Sequence, residues 1–122
     1  MLYAILCYHD EAMVGSWSKE HDDAVMEKLA VVQDNLVRQG RLGPVARLLP
    51  TTAATTLRKE GERVSVDGPF AETKEQLLGF YLIDGKNLDE ALETAQELGD
   101  AEPGVSYEIR PVGVFYPGGS AA

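Results

Sequence analysis

Two short runs, Leu2-Tyr3-Ala4-Ile5-Leu6-Cys7-Tyr8 and Leu77-Leu78-Gly79-Phe80-Tyr81-Leu82-Ile83, are apolar at nearly every position. In an extended chain with its period of two, Leu2, Ala4, Leu6 and Tyr8 share one face, and Tyr3, Ile5 and Cys7 share the other. A strand that is apolar on both faces must be covered on both. Each run therefore belongs in the middle of a sheet, and the rest of the chain has to supply what lies beside it, above it and below it.

Between them, Ser16 or Ser18 can cap a helix over about 19–39, in which Val25, Leu29, Val32 and Leu36 recur at core-facing spacing and Met26 and Val37 widen the stripe. Gly40 is the expected stop. Residues 41–49, interrupted by Pro44 and ended by Pro50, read as an irregular or edge strand. Ala54 to Arg58 and Arg63 to Val66 flank the turn Lys59-Glu60-Gly61-Glu62 and read as a hairpin. After the second apolar run, Asn87 caps a helix with Glu90 three residues on, and Leu88, Ala91, Leu92, Ala95 and Leu98 form its stripe, ended by Gly99. A last strand runs from Ser106 to Val112, with Tyr107 and Ile109 alternating against polar neighbours.

The order is strand, helix, strand plus hairpin, strand, helix, strand. That is the α+β, ferredoxin-like split βαβ pattern, with an antiparallel sheet and an added β-hairpin. Its first and third core strands lie centrally, and these are the two strands apolar on both faces. Two helices cover only one side of such a sheet, so the other side is a patch larger than monomers usually expose. A homodimer with the sheets face to face is the expected remedy. Residues 1–116 form one domain, and the tail 117–122 is expected to be disordered.

Composition limits the function. Eleven basic against 20 acidic side chains give a net charge of −9, which repels phosphate backbones and anionic lipid, so neither nucleic acid nor membrane is an expected partner. No apolar run approaches the ~20 residues needed to span a bilayer. The first residues carry no basic leader or cleavage site, and a cytoplasmic location is expected. Cys7 is the single cysteine, without a disulfide partner, and reads as a small buried hydrophobe.

Asp67-Gly68-Pro69-Phe70, at the end of the hairpin, has a structural reading in full: Asp67 accepts backbone N–H bonds in the turn, Gly68 and Pro69 shape it, and Phe70 pins the loop to the core. The other reading has Asp67, Glu72 and Lys74 projecting into a cleft as ligand-binding groups. The longer segment from Val66 to Ile83 resembles the signature of the DGPF proteins, a branch of the YciI-like (YCII-related) superfamily. Gly40-Arg41-Leu42, Thr55-Thr56-Leu57-Arg58 and Glu108-Ile109-Arg110-Pro111 agree with it, so the resemblance covers nearly the whole chain. It implies a bacterial protein of unknown biochemical activity, built as a dimeric α+β barrel with a small-molecule cleft. It also implies a possible link to an extracytoplasmic-function sigma factor, because members are often encoded beside one.

Few residues are equipped for proton chemistry. In the broader YciI-like group an Asp near the end of the first strand and a His on the first helix are a proposed catalytic pair, and here Asp10 and His21 hold those places, with a short loop between them. His21 lies four residues before Val25, so it starts the apolar stripe and should point toward the sheet. A carboxylate that orients an imidazole leaves the second nitrogen free to move a proton or activate water. His9, with Asp10 and Glu11, sits at a strand end that would form a pocket rim, and Trp17 would supply an aromatic wall. The His9, His21 and carboxylate set lacks the spacing of known metal motifs, and neither a phosphate-binding glycine loop nor a serine nucleophile elbow appears. No cofactor or metal is therefore expected. Two functions stay open: a small-molecule enzyme with Asp10/His21 acid–base or hydrolytic chemistry, and a non-catalytic regulatory or interaction protein working with a sigma factor.

Overall fold

The computed structural model describes residues 1–71 and 73–118; Glu72 and residues 119–122 of the expected disordered tail lie outside the described residues. The chain runs β1 (Leu2–Asp10), α1 (Glu11–Gly15), α2 (Lys19–Arg38), β2 (Leu42–Arg47), a 3-10 turn (Thr51–Ala53), β3 (Thr56–Glu60), β4 (Arg63–Asp67), β5 (Glu75–Asp84), α3 (Leu88–Ala101) and β6 (Ser106–Pro111). The main sheet has the antiparallel order β2-β5-β1-β6. The two runs apolar on both faces, β1 and β5, are thus its central pair, in a ferredoxin-like arrangement.

Strand alternation decides which side chains the helices cover. Tyr3 and Ile5 of β1, and Tyr81 and Ile83 of β5, are buried under Val25, Leu29 and Leu36 of α2 and Ala91, Ala95, Leu98 and Ala101 of α3. Ile5, Ile83 and Leu98 have no exposed surface at all. On the other side of the same strands Leu2, Ala4, Leu6, Phe80 and Leu82 are half-buried, with no helix over them. The uncovered side therefore carries the even-numbered residues of β1.

The sheet is open. β2 and β6 are its edges, and β3 and β4 form a separate two-stranded sheet. This corrects the dimeric α+β barrel that the family resemblance implies: four strands cover too small an arc to close, where a small barrel takes about eight.

Helix ends follow their side-chain caps. Ser18 accepts from the His21 N–H to start α2, and Gly40, with φ +66°, ends it. Asn87 accepts from the Glu90 N–H to start α3. Glu90 does not close a capping box with its side chain; it pairs with Arg41 at 3.0 Å, and Arg41 also donates to Thr94 Oγ1 and the Asp84 carbonyl. One half-buried guanidinium thus joins α3, β5 and the start of β2. α3 runs on past Gly99 to Ala101, and Leu88, Leu92 and Val37 are exposed rather than part of the core stripes. The tighter α3 face is made by Ala91, Thr94, Ala95 and Leu98, which lets the helix lie close.

Gly79 is buried where the β2 backbone crosses it: a Cβ there would stand 2.3 Å from the Ala46 carbonyl oxygen. Gly79→Ala should cost roughly 1–3 kcal/mol in urea unfolding, as overpacking against a rigid neighbour does. Gly15→Ala, where a Cβ meets nothing within 4 Å, should stay within about 0.5 kcal/mol of the parent. Equal stability of the two variants would show that β2 gives way freely.

Candidate functional site

On the helix-covered side, β1, β5 and β6 place Cys7, Tyr81 and Tyr107 next to one another, since Cys7 pairs with Gly79 and Tyr107 across the sheet. Just beyond, the register of β1 against β5 shifts between Cys7 and Tyr8. A bulge bends a strand and strengthens its twist. At this end the sheet and α2 leave a cavity of about 90 Å³, partly open to solvent. Trp17, Val25, Met26 and Leu29 wall it on the α2 side, and Val45 and Arg47 do so on β2. Cys7, Tyr81 and Tyr107 form its floor, and Glu102, the C-cap of α3, reaches it from the far end.

Its mouth is fixed by an ion pair between Arg47 and Asp22 at 3.0 Å, with a second Arg47 nitrogen 3.3 Å from the Met26 sulfur. Beneath the cavity surface the Tyr107 hydroxyl is buried and has no hydrogen-bond partner among the described residues. Burial also governs the acidities. It pushes the Cys7 thiol up to about 12, with the Glu102 carboxylate adding to the shift. It raises Tyr107 and Tyr81 above the ordinary phenol range, although the Gln33 side chain beside Tyr81 opposes the rise there. Glu102 is itself raised by burial and by Asp22, against the opposing pull of His9 and Arg47.

His9 is only 3% exposed. Its Nδ1 accepts the Asp10 backbone N–H at 2.7 Å, which puts the proton of the neutral ring on Nε2. That Nε2 has no partner among the described residues and faces Gly104, where a Cβ would come within 3.2 Å. With φ +91° at Gly104, conformation and space both call for glycine. Trp17 stands between the two histidines, 5.8 Å from the His9 ring and 4.7 Å from that of His21, edge to face with each.

The residues singled out from the sequence come together only in part: His9, Asp10 and Lys74 share one open groove, Trp17 borders the cavity, and His21 and Asp67 line neither. Asp10 caps α1, its Oδ1 accepting from Ala12 and Met13 N–H. His21 is exposed at the start of α2 and lies against Trp17, not against the sheet; no hydrogen bond joins it to Asp10 among the described residues. Asp67 is exposed at the end of β4 and accepts its own neighbour's Gly68 N–H. Phe70 is 75% exposed and lies under the Arg58 guanidinium at 5.1 Å, so it does not pin the loop to the core. That groove, apart from the cavity, is lined by Lys74 with Tyr8, His9, Asp10 and Met13, while Glu72 lies outside the described residues. Among the described residues no three His, Cys, Asp or Glu side chains gather as a metal ion would require. None of the helices described is long and apolar enough to cross a membrane.

The fold and the motif now meet the comparison with known proteins: the YCII-related domain matches residues 1–115. The chain belongs to the YCII-related family. A protein of Rhizobium meliloti (strain 1021), named only as uncharacterized, is 60% identical over 120 residues, covering 97% of each chain. In this YCII-related chain the Asp67–Phe70 signature sits where β4 leaves the separate hairpin, and neither Asp67 nor Phe70 lines the cavity. Arg47, Glu102 and Tyr107 are cavity residues that lie outside the signature segment, while Tyr81 lies near its end. The available signal was the alternation that turned two tyrosines and Cys7 to the same side.

The Cys7 thiol gives a direct check on this burial. With a pKa near 12, its thiolate is about one part in ten thousand at pH ~8, and the thiolate is the nucleophile. Iodoacetamide should leave Cys7 largely unmodified in the native protein and modify it fully in denaturant. The raised pKa favours the folded state while the thiol stays protonated in both states, below its usual 9.0. That contribution should be lost as pH rises from there toward about 12. Rapid native alkylation would show that the cavity floor opens to solvent.

Proposed function

We propose that this YCII-related protein binds a small, mainly apolar molecule in the cavity between α2 and the sheet. The observation that carries the reading is a half-open cavity walled mainly by apolar and aromatic side chains, with a few polar groups and with Tyr107, whose hydroxyl is buried and without a partner among the described residues, at its floor. Leaving a buried hydroxyl unsatisfied costs about 1–3 kcal/mol. A ligand oxygen or nitrogen would recover that cost, and concave apolar sites with a few polar groups are where small molecules bind. Binding is favoured over Asp10/His21 catalysis because Asp10 is engaged as a helix cap and His21 is on the far side of Trp17 from His9.

We also propose that a second copy covers the uncovered side of the sheet. Leu6, Phe80 and Leu82 lie there together, and a continuous apolar face of this kind marks an interaction surface. Light scattering at micromolar concentration should give the mass of a homodimer, and Phe80→Glu should shift it toward one chain. A parent protein that runs as a monomer would remove this part of the proposal.

For the cavity, Trp17 is the single tryptophan in the chain and one of its walls, so its emission reports on occupancy. Benzyl alcohol, a ring with one hydroxyl, should change that emission saturably. Tyr107→Phe should weaken its binding by roughly five- to tenfold while melting no lower than the parent, since the substitution removes a hydroxyl with no partner. If small ring compounds produce no saturable change, or Tyr107→Phe destabilises the free protein strongly, the reading fails.

A further inference from the structure

We infer that the ligand of this cavity is an organic cation, a small ammonium compound with an apolar body about the size of one ring. The inference rests on the cavity being a binding site and adds the charge of what it binds. It comes from counting the charges and rings that face the space.

Three acidic or basic side chains border the cavity: Asp22, Arg47 and Glu102. Arg47 and Asp22 satisfy each other at the mouth. Glu102 is left over: among the described residues no side chain makes an ion pair or hydrogen bond to its carboxylate. The cavity therefore presents one uncommitted negative charge and no uncommitted positive one. An anionic ligand would have to share Arg47 with Asp22 and lie beside both Asp22 and Glu102, weakening a formed pair and adding repulsion from two carboxylates. A cation needs neither rearrangement.

The position of Glu102 is as important as its charge. Glu102 is half-buried at the end of α3 and lines the cavity together with Cys7, Tyr81 and Tyr107. His9 faces the same carboxylate from β1, but its Nδ1 is occupied by a backbone N–H. The remaining walls suit an ammonium with a hydrocarbon body. Trp17, Tyr81 and Tyr107 bring three aromatic rings to one small space, and aromatic surfaces attract cations through the negative face of the ring. Val25, Met26 and Leu29 offer apolar contact to the rest of the molecule. A small shift of the Tyr107 side chain that opens its buried oxygen to the cavity would let it accept an ammonium N–H. The net charge of −9 draws cations toward the protein from a distance.

Three probes of one ring size separate charge from shape: benzylamine, benzyl alcohol and benzoate, each titrated against Trp17 emission at pH ~8 and low salt. Benzylamine should bind about tenfold or more tightly than benzyl alcohol, with benzoate weakest. Glu102→Gln should bring benzylamine down to the level of benzyl alcohol and leave the alcohol unchanged. Benzyl alcohol binding as tightly as the amine, or benzoate binding best, would overturn the cation inference while the cavity reading stands. So would an amine advantage that survives Glu102→Gln. Failure of all three probes to give a saturable change would overturn both. The comparison among probes on the parent protein decides the matter even if the Glu102 variant folds poorly.

Discussion

Everything in this fold depends on the pairing of β1 with β5. Nine residue pairs, from Leu2 with Asp84 to Asp10 with Glu75, hold the two most apolar segments side by side. Because side chains alternate, that single register sends Tyr3, Ile5, Tyr81 and Ile83 under the helices and Leu6, Phe80 and Leu82 to the opposite side. A slip by one residue would exchange the two sets and put the tyrosines where no helix covers them. The edge strands follow from the same register. β2 packs against β5 so tightly that only glycine fits at position 79, and β6 brings Tyr107 opposite Cys7.

The elements were readable because local chemistry and pattern agree in them. Ser18, Gly40 and Asn87 end or begin helices through hydrogen bonds and φ values that their side chains permit, and the Gly61 turn, at φ +61°, needs no tertiary contact to form. The errors have physical causes. α1 was invisible because Asp10 is at once the last residue of a strand and the cap of a one-turn helix. Gly99 looked like a stop, yet it lies inside α3, where a Cβ would be 3.5 Å from the Tyr107 ring. His21 has core spacing on the helix, but Trp17, turned in from the preceding loop, takes the space beneath it. Closure into a barrel was never in the pattern of this chain and came only from the family resemblance.

The site was less legible than the fold, and distance along the chain explains why. Cys7, Arg47, Tyr81, Glu102 and Tyr107 come from β1, β2, β5, the end of α3 and β6, so no short motif contains them. The segment that identifies the family, by contrast, is contiguous because a turn is a local structure: Asp67 bonds to the next residue's N–H, and Phe70 finds Arg58 across the hairpin. The Asp67–Phe70 turn itself ends the separate hairpin away from the cavity, and only the later part of the signature, Leu78 to Tyr81 on β5, borders it.

A cavity in a small domain normally costs stability, so its persistence needs a cause. The surrounding polar tips supply one. If α2 moved down to fill the space, Tyr81, Tyr107 and Glu102 would be pressed into apolar surroundings with fewer chances of hydrogen bonding, and desolvation already shifts all three. The Asp22–Arg47 pair holds α2 to the edge strand from outside, and Trp17, set between two imidazoles, holds its beginning. Closing the gap would disturb those contacts as well as the orphaned hydroxyl. The same polar groups that make the floor costly to bury therefore keep it available, and the register of β1 against β5 is what brings them together.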